Sequence, residues 1–199
     1  MKLTPTRSVL LALRDERRMM GEGHHFLDEK RLLLAGEIMK QLTRYKAGER
    51  AWRRKQREAA AALEAAYARH GQSGLEKYPI LPSEGMGVTV EKSDFFGVLL
   101  AEATFAAGSP DLREIDGMAA SPEAALCREV FRDLVALAAE RAALSGNLHR
   151  LLEDYRKTER RVRALENILL PEMDADIAEM DVRLEESEQE EVLRVRMGR

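Results

Sequence analysis

The residue types best suited to chemistry sit in a few places, and each has a spacing that limits what it can do. The stretch "GHHF" sets His24 beside His25. Adjacent positions on a helix point to different faces, so this pair cannot hold one metal ion as an i, i+4 histidine pair would. The run "DEKR" from Asp28 to Arg31 reads as a solvated face laced with local ion pairs. No spacing of Ser, His and Asp points to a nucleophile. The single Cys127 has no evident basic setting that would lower its pKa. The glycine-rich segments do not follow the phosphate-loop spacing. The expectation is no catalytic residue, no metal site and no cofactor site.

What remains is charge, arranged in blocks. From Lys40 to Arg57 there are eight basic residues and one acidic; from Glu172 to Glu191 there are ten acidic and one basic. Such blocks are either solvated helix surface or faces that meet charged partners. The net charge of −3 argues against a dedicated nucleic-acid binder. One cysteine rules out an internal disulfide and fits a reducing compartment. The longest apolar runs, such as "LLLA" from Leu32, are too short to span a bilayer, and "MKLTPTRSVLLALRDERR" puts charges where the apolar core of a signal peptide belongs. A soluble, cytoplasmic protein with no membrane insertion of its own is expected.

The elements that position these charges are helices. Ala, Glu, Lys, Leu and Arg supply 111 of the 199 residues, a bias of long helices and coiled coils. Seven of the 13 glycines and four of the six prolines fall between Gly71 and Pro122, which divides the chain in three. Residues 6–70 form one long helix, with Thr4 or Thr6 as N-cap and Gly71 at its end. Residues 71–121 hold loops and a β-hairpin, with strands at Val88–Lys92 and Val98–Ala103 joined through Ser93–Gly97. Residues 122–195 form a second long helix, opened by Ser121 as N-cap and Pro122 at the first helical position. Each helix would be about 100 Å long at about 1.5 Å per residue. The fold class is therefore all-α dominated: an antiparallel two-helix coiled coil, one elongated domain, with a small β-hairpin in the middle. Two strands alone are marginal in water, so the hairpin should lean on the helices or meet a partner.

The second helix carries the seam. Leu144, Leu148, Leu151, Tyr155, Thr158, Val162, Leu165 and Leu169 follow alternating steps of four and three. Leu169, Met173, Ile177 and Met180 then step by four, four and three, an eleven-residue unit that locally relaxes a left-handed supercoil. Pro171 lies inside this change of period, where an interior proline would cost roughly 3 kcal/mol. The first helix is less regular: Arg17, His24 and Arg31 occupy the column that should complete its seam. Its glycines at 21, 23, 36 and 48 suggest close approach of a neighbouring backbone. Facing residue numbers should sum to about 192, which sets Gly21 and Gly23 opposite Leu169–Met173, and Arg14, Arg17 and Arg18 across from Asp174, Asp176 and Glu179.

The two ends of the chain carry a resemblance. "TPTRSVLLALRDERRMMGEGHHFLDEKRLLL" and "YRKTERRVRALENILLPEMDADIAEMDVRLEESEQEEVLRVR" are similar to the conserved ends of the D subunit of V-type and archaeal-type rotary ATPases. The carriers are the early Thr-Pro-Thr-Arg, the leucine pair, Lys-Arg before a leucine run, and Arg-Arg-Val-x-Ala-Leu-Glu followed by apolar residues and proline. The resemblance implies a non-catalytic rotor shaft that transmits torque between a hexamer of alternating catalytic and non-catalytic subunits and a membrane ring moving protons or sodium. It implies as partners that hexamer, the small F subunit of the stalk, and a funnel-shaped subunit above the ring. It places the complex on the cytoplasmic face of a membrane and makes Arg7, Arg14, Arg17, Arg18, Arg160, Arg161, Arg163, Glu166 and Pro171 the candidate hexamer-facing residues. The competing class is a free-standing helical-hairpin adaptor, which composition and periodicity fit equally well.

Overall fold

The computed structural model describes residues 6–76, 86–107 and 121–198. Thr4 and most of the two expected loops lie outside these residues. The elements run α1 (Arg7–Leu75), β1 (Met86–Phe95), β2 (Val98–Ala107), α2 (Pro122–Ala164), a π turn (Leu165–Leu169) and α3 (Leu170–Met197). The fold is a helical hairpin with a two-stranded antiparallel sheet, as the composition and heptads indicate. None of the described helices is long and apolar enough to cross a membrane.

Capping explains the helix starts. The Thr6 hydroxyl accepts a hydrogen bond from the Val9 N–H at 3.3 Å, and the Ser121 hydroxyl accepts one from Ala124 at 3.2 Å. Gly71 breaks the helical path of α1 with φ 66°, a left-handed value suited to glycine at a helix end.

The chain clusters into two compact units. One comprises the residues up to Ala35 and from Glu153 onward; the other is Gly36–Leu152. Each is an antiparallel helix pair. In the first, Leu10, Leu34, Thr158, Val162, Met173 and Met180 are buried, with Leu13, Met20, His24, Leu27 and Arg31 partly so. In the second, Gln41, Ala59, Ala62, Ala66, Leu144, Asn147 and Leu151 are buried. The inward positions of α1 step by three and four from Leu10 to Leu34 in one unit, with a gap at exposed Arg17, and without interruption from Ile38 through Tyr45, Gly48, Trp52 and Ala59 to Ala66 in the other. Apart from that gap, the first helix is as regular as the second. Its period is hidden in the sequence because His24, Arg31, Gln41, Gly48 and Lys55 occupy inward positions.

Three expectations are corrected. First, the glycines of α1 at 21, 23, 36 and 48 bring no neighbouring backbone close among the described residues. A Cβ on Gly23 or Gly36 would meet nothing within 4 Å, and one on Gly21 only the end of Arg17 at 3.9 Å. Second, the strands are longer and their connection shorter than expected. Phe95 pairs with Val98, leaving only Phe96 and Gly97 in the turn. Their φ values of 51° and 85° are those of a type I′ turn, whose twist matches the strands. The Asp94 carboxylate accepts the Gly97 N–H at 3.2 Å and helps hold this shape. Third, Leu169 leaves the seam: it is exposed, as is Ile168, and Leu170 is the partly buried residue instead.

The cause of that shift is the π turn. The Leu170 N–H bonds to the Leu165 carbonyl, five residues back. One extra residue in the turn rotates the seam, which resumes at Met173. Pro171 then falls in the first turn of α3, where its missing N–H needs no partner inside the helix. The interior-proline penalty is thereby avoided. π turns of this kind recur at functional sites.

Candidate functional site

The side chains that could act on a partner are charges on the two helix pairs and the sheet beside the second. In the first unit, arginines of α1 reach acids of α3. Arg7 pairs with Glu188, Arg14 with Asp181 and Arg17 with Asp174, each at 2.8 Å. Arg14 and Arg17 each use two hydrogen bonds to one carboxylate. The Arg17 guanidinium holds the Asp174 carboxyl below its usual range, chiefly through that hydrogen bond, and is itself raised. Arg18 does not reach across; it lies 3.2 Å from Asp15 on its own helix. All are well exposed, so these pairs fix register more than they add stability. Paired residue numbers fall close to the expected sum in both units.

One further acid of the block, Glu179, is engaged locally, by Arg183 on its own helix. Deeper in the first unit, Lys30 Nζ lies 2.8 Å from Asp154 Oδ2, both half-buried, but off the hydrogen-bonding directions. His24 turns its Nε2 inward without a hydrogen-bond partner, while exposed His25 lies 3.2 Å from Glu29 on the outside. The two histidines do face different ways. Among the described residues no group of three or more His, Cys, Asp or Glu is placed to hold a metal ion.

The remaining expected site residues cluster around the π turn. Arg160, Arg161, Arg163, Glu166 and Pro171 are all exposed. Arg163 pairs with Glu159 at 2.6 Å on its own helix. Leu169 and Ile168 lie exposed beside them. The turn therefore presents a mixed surface of cations and apolar groups where the helix departs from α geometry.

In the second unit, Arg141 of α2 lies beside Gly48 of α1. Its guanidinium lies 4.2 Å from the Tyr45 ring centroid and 5.6 Å from that of Trp52, and pairs with Glu49. A Cβ on Gly48 would lie 3.8 Å from that guanidinium. Glu49 also accepts from Arg53, and the two arginines, Arg53 first, hold its carboxyl below the ordinary value. Lys55 is inward-facing and bound by Asp133 and Glu58. Lys55, Arg53, Arg54 and Arg44 of the basic block all have carboxylate partners. Toward the end of α1, Arg69 pairs with Glu123, whose carboxyl is lowered first by its own backbone N–H at the start of α2.

The sheet is tied to α2 by Asn147 and Arg150. The Asn147 side chain accepts the Ala101 N–H at 2.8 Å and donates to the Ala101 carbonyl at 2.9 Å. Arg150 donates to the Leu99 carbonyl at 2.7 Å and to Asn147 Oδ1 at 2.7 Å. Asn147 is 2% exposed, so this polar group is buried and fully used. Val98 and Leu100 are buried under the hairpin. The expectation that the hairpin leans on the helices holds, but the polar clamp carries no sequence signal: one asparagine in a helix is indistinguishable from a surface residue.

These arrangements hold helices together and present charge; none brings an acid, a base and a nucleophile to one point. Comparisons with known proteins agree with such a part. The sequence model of the family described as the ATP synthase D subunit matches residues 9–199. The chain is 28% identical over 197 residues to a V-type ATP synthase D subunit of Thermotoga neapolitana, covering 98% of this chain and 96% of that protein. It is 29% identical over 198 residues to an A-type ATP synthase D subunit of Pyrococcus furiosus, covering 98% and 92%. It is 28% identical over 196 residues to an A-type ATP synthase D subunit of Methanoregula boonei, covering 98% and 94%. With a match that runs through every described element, the chain belongs to the ATP synthase D-subunit family.

Proposed function

We propose that this chain is the central-stalk rotor subunit of a V-type or archaeal-type rotary ATPase or ATP synthase. It is a non-catalytic subunit: it transmits torque between the nucleotide-binding hexamer and the ion-translocating ring, and the chemistry belongs to its partners. The observation that carries this reading is the family match over residues 9–199, which spans every described element.

The partners of this reading are the catalytic and non-catalytic subunits of the hexamer, the small F subunit of the stalk, and a funnel-shaped subunit above the membrane ring. The complex would sit on the cytoplasmic face of a membrane, with this chain peripheral to it. The hexamer-facing set is Arg7, Arg14, Arg17, Arg18, Arg160, Arg161, Arg163, Glu166 and Pro171. Two groups within that set differ in their surroundings. Arg7, Arg14 and Arg17 already hold α3 and would act by keeping the helix pair in register under load. Arg160 and Arg161, exposed beside the π turn, would meet acids of the surrounding ring. A shaft must be asymmetric to act unequally on successive catalytic pockets, and the π turn with its exposed Ile168 and Leu169 supplies a local asymmetry.

Co-purification tests the reading. The tagged chain, recovered from its own cells under mild conditions, should bring down a nucleotide-hydrolysing hexamer. Recovery of the chain without any ATPase subunit would instead favour a free-standing helical adaptor.

A further inference from the structure

We propose that the outer edge of β2 receives an extended strand from another subunit, adding a third strand to the hairpin beside Ala103 and Phe105. The inference rests on the reading of this chain as one subunit of a rotary complex.

Hairpin geometry fixes which backbone groups are free. In a two-residue hairpin the residues flanking the turn, Phe95 and Val98, bond to each other. Even-numbered residues of β2 therefore direct their N–H and C=O toward β1, and odd-numbered ones direct them outward. The contacts on α2 agree: Leu99 and Ala101 are the residues that bond to Arg150 and Asn147. Asn147 uses its amide as a neighbouring peptide would, donating and accepting at one residue of the strand edge. Past Ala101 this substitute strand ends. Among the described residues nothing takes the outward groups of Ala103 and Phe105. An open strand edge is a template for another strand.

The space beside that edge has walls. A groove of about 440 Å³ runs along β2 from Ala101 to Phe105, with Ala136, Glu140 and Ala143 of α2 on its far side. The alanines leave room for small or apolar side chains. Arg44 at the groove is already neutralised by Glu102, at 3.2 Å. Glu140 is exposed and has no cation against it among the described residues. The complement is thus an extended segment with small apolar side chains and one Lys or Arg directed at Glu140. Main-chain bonds would give affinity, and the carboxylate and the alanines selectivity. The outer edge of β1 is less suited, since Lys92 and Asp94 stand on it.

The test is hydrogen exchange at single-amide resolution on the isolated chain and on the assembled complex. Glu102 and Thr104, which face β1, should be protected in both. Ala103 and Phe105 should exchange fast in the isolated chain and at least about 100-fold more slowly in the complex. Ala103→Pro removes one outward donor and spares the ladder to β1, because proline is tolerated on an edge. It should keep the wild-type circular dichroism and Thr104 protection, yet assemble at least about tenfold more weakly. Glu140→Lys should weaken assembly in the same direction. Fast exchange of Ala103 and Phe105 in the complex would overturn the proposal, as would normal assembly of a folded Ala103→Pro. Slow exchange in the isolated chain would also overturn it, because another part of this chain or a second copy would then cover the edge. A wild-type chain that brings down no ATPase subunit would remove the functional reading together with this one. Wild-type assembly with unchanged edge amides would remove this one alone.

Discussion

At the residue scale, polar side chains occupy places where apolar ones would be expected. Arg141 shows how. It is only 15% exposed, and it stacks on Tyr45 and Trp52 beside Gly48. Arg141→Ala should destabilise the chain by about 0.5–2 kcal/mol through the ring contacts alone, measured by urea unfolding. Arg141→Lys should recover little of this, because an ammonium cannot stack as a planar guanidinium does. The carboxylates give a pH signature. Asp174, Glu49, Glu123 and Glu153 are all held below their usual values in the folded chain, so the unfolded chain binds protons more readily than the folded one. Their contribution is present above the ordinary carboxylate range, near pH 4, and is lost as pH falls through the depressed values. Thermal unfolding should therefore be nearly flat in pH from about 5 to 8 as far as these groups matter, and the midpoint should fall below about pH 4. In Arg17→Ala the acid-side fall should be smaller, because Asp174 then has no partner to lose. A fall equal to that of wild type would show that Asp174 gains nothing from Arg17.

At the scale of elements, the glycines and the proline are the places where propensity is set aside. Gly23 and Gly36 sit within a 69-residue helix with open space where a Cβ would be. Gly23→Ala and Gly36→Ala should each stabilise the isolated chain by about 1 kcal/mol, read by thermal or urea unfolding. If both mutants are more stable and yet couple ATP hydrolysis to ion movement less well, the glycines serve compliance or a partner's approach rather than packing within the chain. Pro171→Ala addresses the π turn. With an N–H restored at 171, the helix can close in the α register, so the isolated chain should be at least as stable as wild type. Ions pumped per ATP hydrolysed should fall in an assembled complex, because Ile168 and Leu169 would rotate. Unchanged pumping would mean that the proline is a tolerated break and nothing more.

The same elements show what the sequence could reveal. The heptad of α2, the caps at Thr6 and Ser121 and the end at Gly71 are legible, because each depends on side chains within a turn or two of one another. The period change at Leu169–Met180 is also legible, but its form is not. Residue spacing cannot tell a proline kink from a π turn that moves the proline to a helix start. The α1 seam stays hidden because small alanines and polar residues fill it. The two-residue hairpin turn escapes notice because phenylalanine at positive φ is a rare occupant of the place glycine or asparagine usually takes. Asn147 and Arg150 carry no signal, since their use depends on a strand almost fifty residues away in sequence.

For the whole molecule, the family match makes this chain one subunit of an assembly, and its charges make sense as contacts in waiting. The chain is nearly neutral overall, yet its acids and bases are segregated along the helices. Segregated charge of this kind orients a subunit among partners and gives assembly a salt dependence. Mutating Arg160 and Arg161 together to Ala should leave the isolated helix pair folded, as neither closes an ion pair or hydrogen bond across it among the described residues, while weakening torque transmission. Everything proposed for the exposed charges and the π turn depends on this chain turning within its complex. Single-molecule rotation of the assembled complex measures that motion, with the hexamer fixed to a surface and a bead attached to this chain. With ATP present, a rotor shaft should drive unidirectional rotation of the bead in steps, stalled by non-hydrolysable nucleotide. A complex that hydrolyses ATP at full rate while the bead shows only undirected fluctuation would rule out a rotor role.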